Sequence, residues 1–313
     1  MALADARRPG GAPLALPDGP PYAAAALPRG SFTLPPGDPR LQALFDGQPA
    51  QHPSHDNLVG ATRWWHEHRD WMDFLDPESP THQVKMVERA LYLDLWAPYL
   101  QAEAPRRALD LGCGVGRMSQ WLLEEGLTVE LVDPDLRSLQ AAYAMARAVG
   151  QGALDLHWTT GESLPDLDPV DLAVAAEVLC YCEDAPRVVA NLARVVRPGG
   201  LLLCSVEARW GWAMAADAAP GSLPELFRED GLVHVAGDRW VRTFDEAQLR
   251  ALLEPAFVIE VLRPSHYTFS GPFETAAGEL SFEETLAMEA RLRAHPVLGG
   301  LNRAWIVVAR RSS

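Results

Sequence analysis

Lysine is nearly missing from this chain of 313 residues: Lys85 is the only one, so arginine supplies the other 26 of its 27 strongly basic side chains. Amine chemistry such as Schiff-base formation therefore rests on a single position. Positive charge is short overall. The 27 Lys and Arg face 42 Asp and Glu, a formal net charge of −15. That argues against nucleic acid and against an anionic membrane surface as main partners, because both demand clustered cations. Cysteine is scarce too. Cys113, Cys180, Cys182 and Cys204 form no CxxC pair, so neither a disulfide framework nor a structural zinc site is expected, and a reducing, cytoplasmic setting is the default. No apolar run reaches the roughly 18 residues that cross a bilayer. The opening MALADARRPGG has acid and arginine where a signal peptide keeps an apolar core. What remains is a soluble intracellular protein, with chain enough for two domains of roughly 150 residues or one enlarged domain.

Residues 1–55 hold 11 of the 26 prolines, with Gly-Gly, Pro-Pro and Pro-Gly pairs. Such a segment resists regular structure and reads as an extended or partly disordered leader. The alternative is a strap over an active site, anchored by Tyr22 and Phe32. A helical cap is expected over 56–104. Trp64, His68, Trp71 and Leu75 repeat at helical spacing, Pro77 and Pro80 interrupt, and Val84, Val87, Leu91 and Leu95 mark one face of a second helix. The run Trp64, Trp65, Trp71 and Phe74 could cage a cation, but its helical stripe favours packing. His66 and His68 diverge on a helix and His52 and His55 lie in the leader, so no metal site is expected.

From Arg107 the rhythm changes. Short apolar runs at 108–111, 127–132, 154–158, 172–176 and 201–206 alternate with helical stretches at 117–125, 135–149 and 185–196. That alternation predicts βαβ units and a parallel sheet, and the unbroken apolar runs predict strands covered on both faces. A helix at 245–253, a strand at 257–262, a helix at 282–293 and a closing strand at 305–309 complete the pattern.

The informative segment is Leu109-Asp110-Leu111-Gly112-Cys113-Gly114-Val115-Gly116-Arg117. A strand ends, glycines turn the chain, and a helix begins. Glycines let backbone approach a ligand where a Cβ would clash, and the helix start offers N–H groups to negative charge. A dinucleotide site would read GxGxxG, but Arg117 stands where its third glycine would fall. The next strand ends in Asp133, an acid placed to take both hydroxyls of a ribose. A nucleoside with a small charged tail suits this loop better than a pyrophosphate.

Ala108 to Gly116 resembles motif I of the class I S-adenosylmethionine-dependent methyltransferases. The likeness runs from about residue 90 to 262, with the last strand at 305–310, and further segments agree in order: Asp133, Thr160–Pro165, Asp171–Val174, Val196–Leu201 and Thr243–Leu249. The resemblance implies an α/β fold: a doubly wound, mostly parallel, seven-stranded Rossmann-like sheet with its last strand antiparallel. An N-terminal helical cap would precede it, and insertions at 207–243 and 263–303 would interrupt a methyltransferase domain spanning 105–313. It implies S-adenosyl-L-methionine as cofactor. Gly112, Cys113 and Gly114 would line its methionine half and Asp110 would face its amino group. Asp133 would hold the ribose, Pro134 would pack on the adenine, and Glu162 and Ser163 would border the adenine edge. Glu177 and Val178 would reach toward the methionine and the acceptor. One departure stands out: the family often has an adenine-binding acid where this chain has Thr160.

Methyl transfer from a sulfonium is an in-line displacement, so the protein mainly aligns the partners and excludes water. A base is needed when the acceptor is a protonated or weak nucleophile. Candidates at the carboxyl ends of the strands are Tyr181, Glu207, His234, His266 and Tyr267, of which Tyr181 and His234 are chosen. The cap and insertions are large enough to close over a small molecule, so a metabolite of specialised metabolism is the expected acceptor. A homodimer is compatible with these features. Two other readings stand beside this one: a non-catalytic protein that binds the cofactor, and a nicotinamide oxidoreductase, against which Arg117 speaks.

Overall fold

A computed structural model of the chain describes residues 33–34, 78, 82–149, 154–214, 223–235, 239–269, 273 and 278–313. In order these form β1 (Thr33–Leu34), α1 (His82–Glu103), β2 (Arg107–Leu111), α2 (Arg117–Glu124), β3 (Thr128–Asp133), α3 (Leu136–Val149), β4 (Leu154–Trp158) and β5 (Val170–Ala176). Then come α4 (Ala185–Val195), β6 (Val196–Glu207), β7 (Leu232–Val235), β8 (Arg239–Arg242), α5 (Glu246–Leu253), β9 (Phe257–Ser265), α6 (Phe282–Ala294) and β10 (Ala304–Arg311). Eight strands make one sheet in the order β1-β4-β3-β2-β5-β6-β10-β9. Strands β2 to β6 run parallel, and β10 lies antiparallel between β6 and β9. Seven of the eight are the expected doubly wound sheet. The eighth is an addition from the leader: Thr33 and Leu34 pair antiparallel with His157 and Leu156 on the outer edge of β4. Tyr22, Phe32, His52, His55, His66 and the stripe from Trp64 to Leu75 lie outside the described residues.

The strands alternate between two cores. Ala108 of β2 enters one, Leu109 and Leu111 the other; Leu172 and Val174 of β5 part from Ala173 and Ala175 in the same way. Successive strand residues point to opposite faces, and here both faces are covered, which is why the runs are apolar without interruption. Trp96 of α1, Leu122 of α2 and Leu139 of α3 pack on the first face. Val188 and Leu192 of α4, with Leu249 and Leu253 of α5, pack on the second. Polar side chains fix where helices start. Asp245 and Gln248 form a capping box on α5, Ser281 and Glu284 another on α6, and Asp184 accepts from the Arg187 N–H at the start of α4.

The insertion at 207–243 contains the antiparallel hairpin β7–β8, which sequence pattern did not reveal because four-residue strands carry too little alternation. Cys180, Trp212, Leu226, Val233, Val235 and Val241 make its separate small core, with Tyr181 packed against them. Among the described residues, no helix is long and apolar enough to cross a membrane. The chain leaves β2 toward one edge of the sheet and later returns to β5, directly beside β2. Such a reversal opens a crevice at the carboxyl ends of the two strands.

Candidate active site

One wall of that crevice is built from backbone. Gly112 and Cys113 both donate N–H groups to the Val132 carbonyl, at 2.7 and 3.0 Å, so the bend after β2 is tied to the end of β3. Gly112 has φ +66°, and a Cβ there would sit 2.5 Å from Val178 Cγ2. Gly114, at φ +53°, differs: a Cβ there would meet nothing within 4 Å. The bend is therefore closed by packing at Gly112 and open at Gly114. The Cys113 side chain is buried, and burial pushes its thiol far above the ordinary range.

Asp133, at the tip of β3, turns toward the bend. One carboxylate oxygen accepts from Gly114 N–H at 2.8 Å and the other from Asp135 N–H at 2.8 Å. Each oxygen keeps a lone pair for another donor. Burial, then the neighbouring Asp135, push this carboxyl up to about 7. Asp110 lies beneath the bend, where its carboxylate accepts from Ser119 Oγ of α2; burial pushes it to about 7 as well. Pro134 is half-buried and its carbonyl accepts from Trp158 Nε1 at 2.8 Å. In the turn Gly161–Ser163, Glu162 accepts from the Glu183 N–H at 3.1 Å, while the Ser163 side chain is exposed. Asn191 of α4 holds that turn through the Gly161 and Glu162 carbonyls.

The opposite wall is built from side chains. Glu88 of α1 is 2% exposed. It accepts from Lys85 Nζ at 3.1 Å and pairs with Arg117, the first residue of α2. His266 Nε2 lies 3.8 Å from Glu88, and one oxygen or nitrogen from each of Glu88, Glu177 and His266 falls within 4.8 Å of the other two. Two cations already sit against this carboxylate pair, so a divalent ion would have to displace them. Three non-glycine residues among those described have positive φ; two of them are Glu177 at +59° and His266 at +64°. Backbone strain of this kind gathers at functional sites. It is held in place from several sides. Glu177 N–H donates to Ser205 Oγ at 3.0 Å, and Ser205 Oγ in turn donates to Tyr92 OH at 3.0 Å. Glu289 of α6 accepts from both the N–H and the hydroxyl of Thr268, each at 2.7 Å, and Tyr267 OH donates to the Gly299 carbonyl.

The charges on this wall respond to one another. Burial works to raise the Glu177 carboxyl, but Lys85 and Arg117, then His266 and Arg303, hold it below its ordinary value. Burial, then Arg117, bring the Lys85 ammonium down to about 8. Burial brings His266 to about 3 despite Glu177, and neither of its ring nitrogens has a hydrogen-bond partner. Three further candidate bases from the sequence have neighbours of their own. His234 is exposed on the β7–β8 hairpin, its ring 2.6 Å from Glu225. Tyr181 packs on the hairpin core. Glu207 accepts from Trp212 Nε1 at 2.9 Å and Arg303 Nε at 3.3 Å. Sequence reasoning missed Glu88 and Arg117 in this wall, because a stripe of apolar residues is what periodicity detects. Glu177 and His266 are the members of this wall that the sequence does name.

Residues 63–256 match a family model described as a methyltransferase domain. The chain is 31% identical over 149 residues to a ubiquinone biosynthesis O-methyltransferase of Methylocella silvestris, a match covering 44% of this chain and 58% of that one. It is 34% identical over 134 residues to a malonyl acyl-carrier protein O-methyltransferase of Pseudescherichia vulneris, covering 42% and 47%. The chain thus spans about half the length of the curated relatives it matches. A magnesium protoporphyrin IX methyltransferase of Synechocystis shares the fold, with a TM-score of 0.53 at 18% identity over 82% of this chain and 95% of that one.

Proposed function

We propose, since the chain belongs to the methyltransferase-domain family, that it moves the methyl group of S-adenosyl-L-methionine onto an oxygen of a small-molecule acceptor, in a route of specialised metabolism. The observation that carries this reading is the open side of the bend at Gly114, with the Asp133 carboxylate anchored on the same residue's N–H. Gly112, Cys113 and Gly114 would take the methionine half, with Asp110 bracing the bend from below through Ser119. Asp133 has lone pairs for two ribose hydroxyls, and Pro134 would flank the adenine. Glu162 accepts from Glu183 N–H through one carboxylate oxygen and keeps lone pairs, so it and the Ser163 hydroxyl would border the adenine edge. Bound there, S-adenosylmethionine supplies an electrophilic methyl. Glu177 and Val178 follow β5 on the acceptor side.

Oxygen as the accepting atom is supported by the two O-methyltransferases above. An acceptor hydroxyl needs a proton acceptor, and the polar wall around Glu177 offers titratable groups. The four cysteines are buried and free, which supports a reducing, cytoplasmic compartment. The test is transfer from methyl-labelled S-adenosylmethionine to a panel of phenols, carboxylic acids, thiols and amines. Labelled product from phenols or acids is the expected result. Tight binding of S-adenosylhomocysteine with no transfer across the panel would instead favour a cofactor-binding protein without catalysis.

A further inference from the structure

We infer that Lys85 is the proton-accepting residue of this methyl transfer, its amine facing the acceptor atom beside the transferring methyl. The inference rests on the function proposed above and names a residue for it. The first support is chemical. Arginine stands at 26 of the chain's 27 strongly basic positions, yet the position against Glu88 keeps a lysine. Pairing alone does not require it, since Arg117 already makes a guanidinium pair with the same carboxylate. An ammonium can give up its proton and take it back; a guanidinium cannot.

The second support is placement. Lys85 lies on α1, its side chain 15% exposed and its Nζ 3.1 Å from Glu88. The groups that bear on it come from several elements: Glu88 on its own helix, Arg117 opening α2 after the glycine bend, Glu177 after β5, Glu207 ending β6 and His266 in the turn after β9. Burial and Arg117 bring it to about 8, close to where a general base works best near neutral pH. His266, at about 3, is too weak a base for that task, and His234 sits out on the hairpin with Glu225.

The step balances. The acceptor oxygen forms its bond to the methyl carbon as the methyl–sulfur bond breaks, and that bond's electron pair stays on sulfur. The acceptor's proton passes to the lone pair of neutral Lys85 Nζ. One positive charge thereby leaves the sulfonium and reappears as the ammonium, where Glu88 and Glu177 face it.

Because the chain has one lysine, protein grown on 13C-labelled lysine gives a single set of side-chain carbon signals, and its titration can be followed directly by NMR. The full chain is titrated alone, with S-adenosylhomocysteine and with S-adenosylmethionine, and calorimetry confirms that each ligand is bound. The two ligands differ by one methyl and one positive charge. If the amine faces that methyl, the sulfonium lowers its proton affinity at least threefold more than the thioether does. A midpoint near 8 that falls further with S-adenosylmethionine than with S-adenosylhomocysteine is the expected result. A midpoint above 10, or the same midpoint with both ligands bound, overturns the inference. If calorimetry shows that neither ligand binds, the cofactor reading itself has failed and the inference falls with it.

Discussion

The two walls of the crevice are made in opposite ways. The cofactor wall is local and made of backbone: three glycines in five residues turn the chain, and one carboxylate nineteen positions on ties the turn down. The proposed acceptor wall is assembled from distant pieces of chain. Lys85 and Glu88 come from α1, Arg117 from α2, Glu177 from the tip of β5 and His266 from the turn after β9. The first wall has little to lose but its shape. The second stores opposed charges and strained backbone, so its integrity depends on every partner being present.

That contrast can be broken by substitution. The largest effect is expected at Glu88→Ala, which strands Lys85 and Arg117 without their shared carboxylate. Removing one member of a buried pair costs about 3–5 kcal/mol, read as a lower denaturation midpoint, while affinity for S-adenosylhomocysteine stays within about threefold at temperatures where the variant is folded. Gly114→Val should do the reverse. Its side chain fills the open space at the bend, and calorimetry should show affinity reduced more than about 100-fold, with only the roughly 1–3 kcal/mol of strain that a positive φ imposes on stability. Asp133→Ala removes charge-assisted hydrogen bonds of about 1.5–3 kcal/mol each and should weaken binding at least about tenfold. His234→Ala, exposed and remote, should change stability by less than about 0.5 kcal/mol and leave binding unaltered.

Proton uptake sharpens the same contrast. Burial raises Asp133 and Asp110 to about 7 in the folded chain. The folded state then holds protons that the unfolded chain has released, so these groups' contribution to stability is complete below about pH 4 and is lost as pH rises through 7. In the proposed site, ribose hydroxyls would donate to the ionised form of Asp133. Binding of S-adenosylhomocysteine should therefore strengthen as pH rises from 6 to 8, by at most about tenfold per pH unit, with proton release measurable by calorimetry in two buffers. Lost pH dependence in Asp133→Ala would assign the effect to that residue.

Legibility in the sequence follows the same division. The alternation of strands and helices, the glycine bend and Asp133 could be read because each is encoded in a short window, by period, by glycine spacing or by a residue ending an apolar run. Of the proposed acceptor wall, Glu177 and His266 could be read and Glu88 and Arg117 could not. On α1 the apolar stripe Val87 and Leu91 was visible, but the buried face also takes Glu88, Arg89 and Tyr92, and polar residues enter a buried face only because partners on other elements neutralise them. His234 lies within the long insertion, and a hairpin of two four-residue strands carries it to the surface. The unique lysine was visible from composition and helical spacing sets it beside Glu88, three positions on; only the fold brought Arg117, Glu177 and His266 to them.

A crystal structure with S-adenosylhomocysteine tests the central claim most directly. The ribose hydroxyls should lie within hydrogen-bond distance of the Asp133 carboxylate, and the methionine half should run over Gly112–Gly114 with its sulfur toward Glu177. A ligand bound elsewhere, or an Asp133 that keeps its backbone contacts while the ribose sits beyond reach, would contradict it.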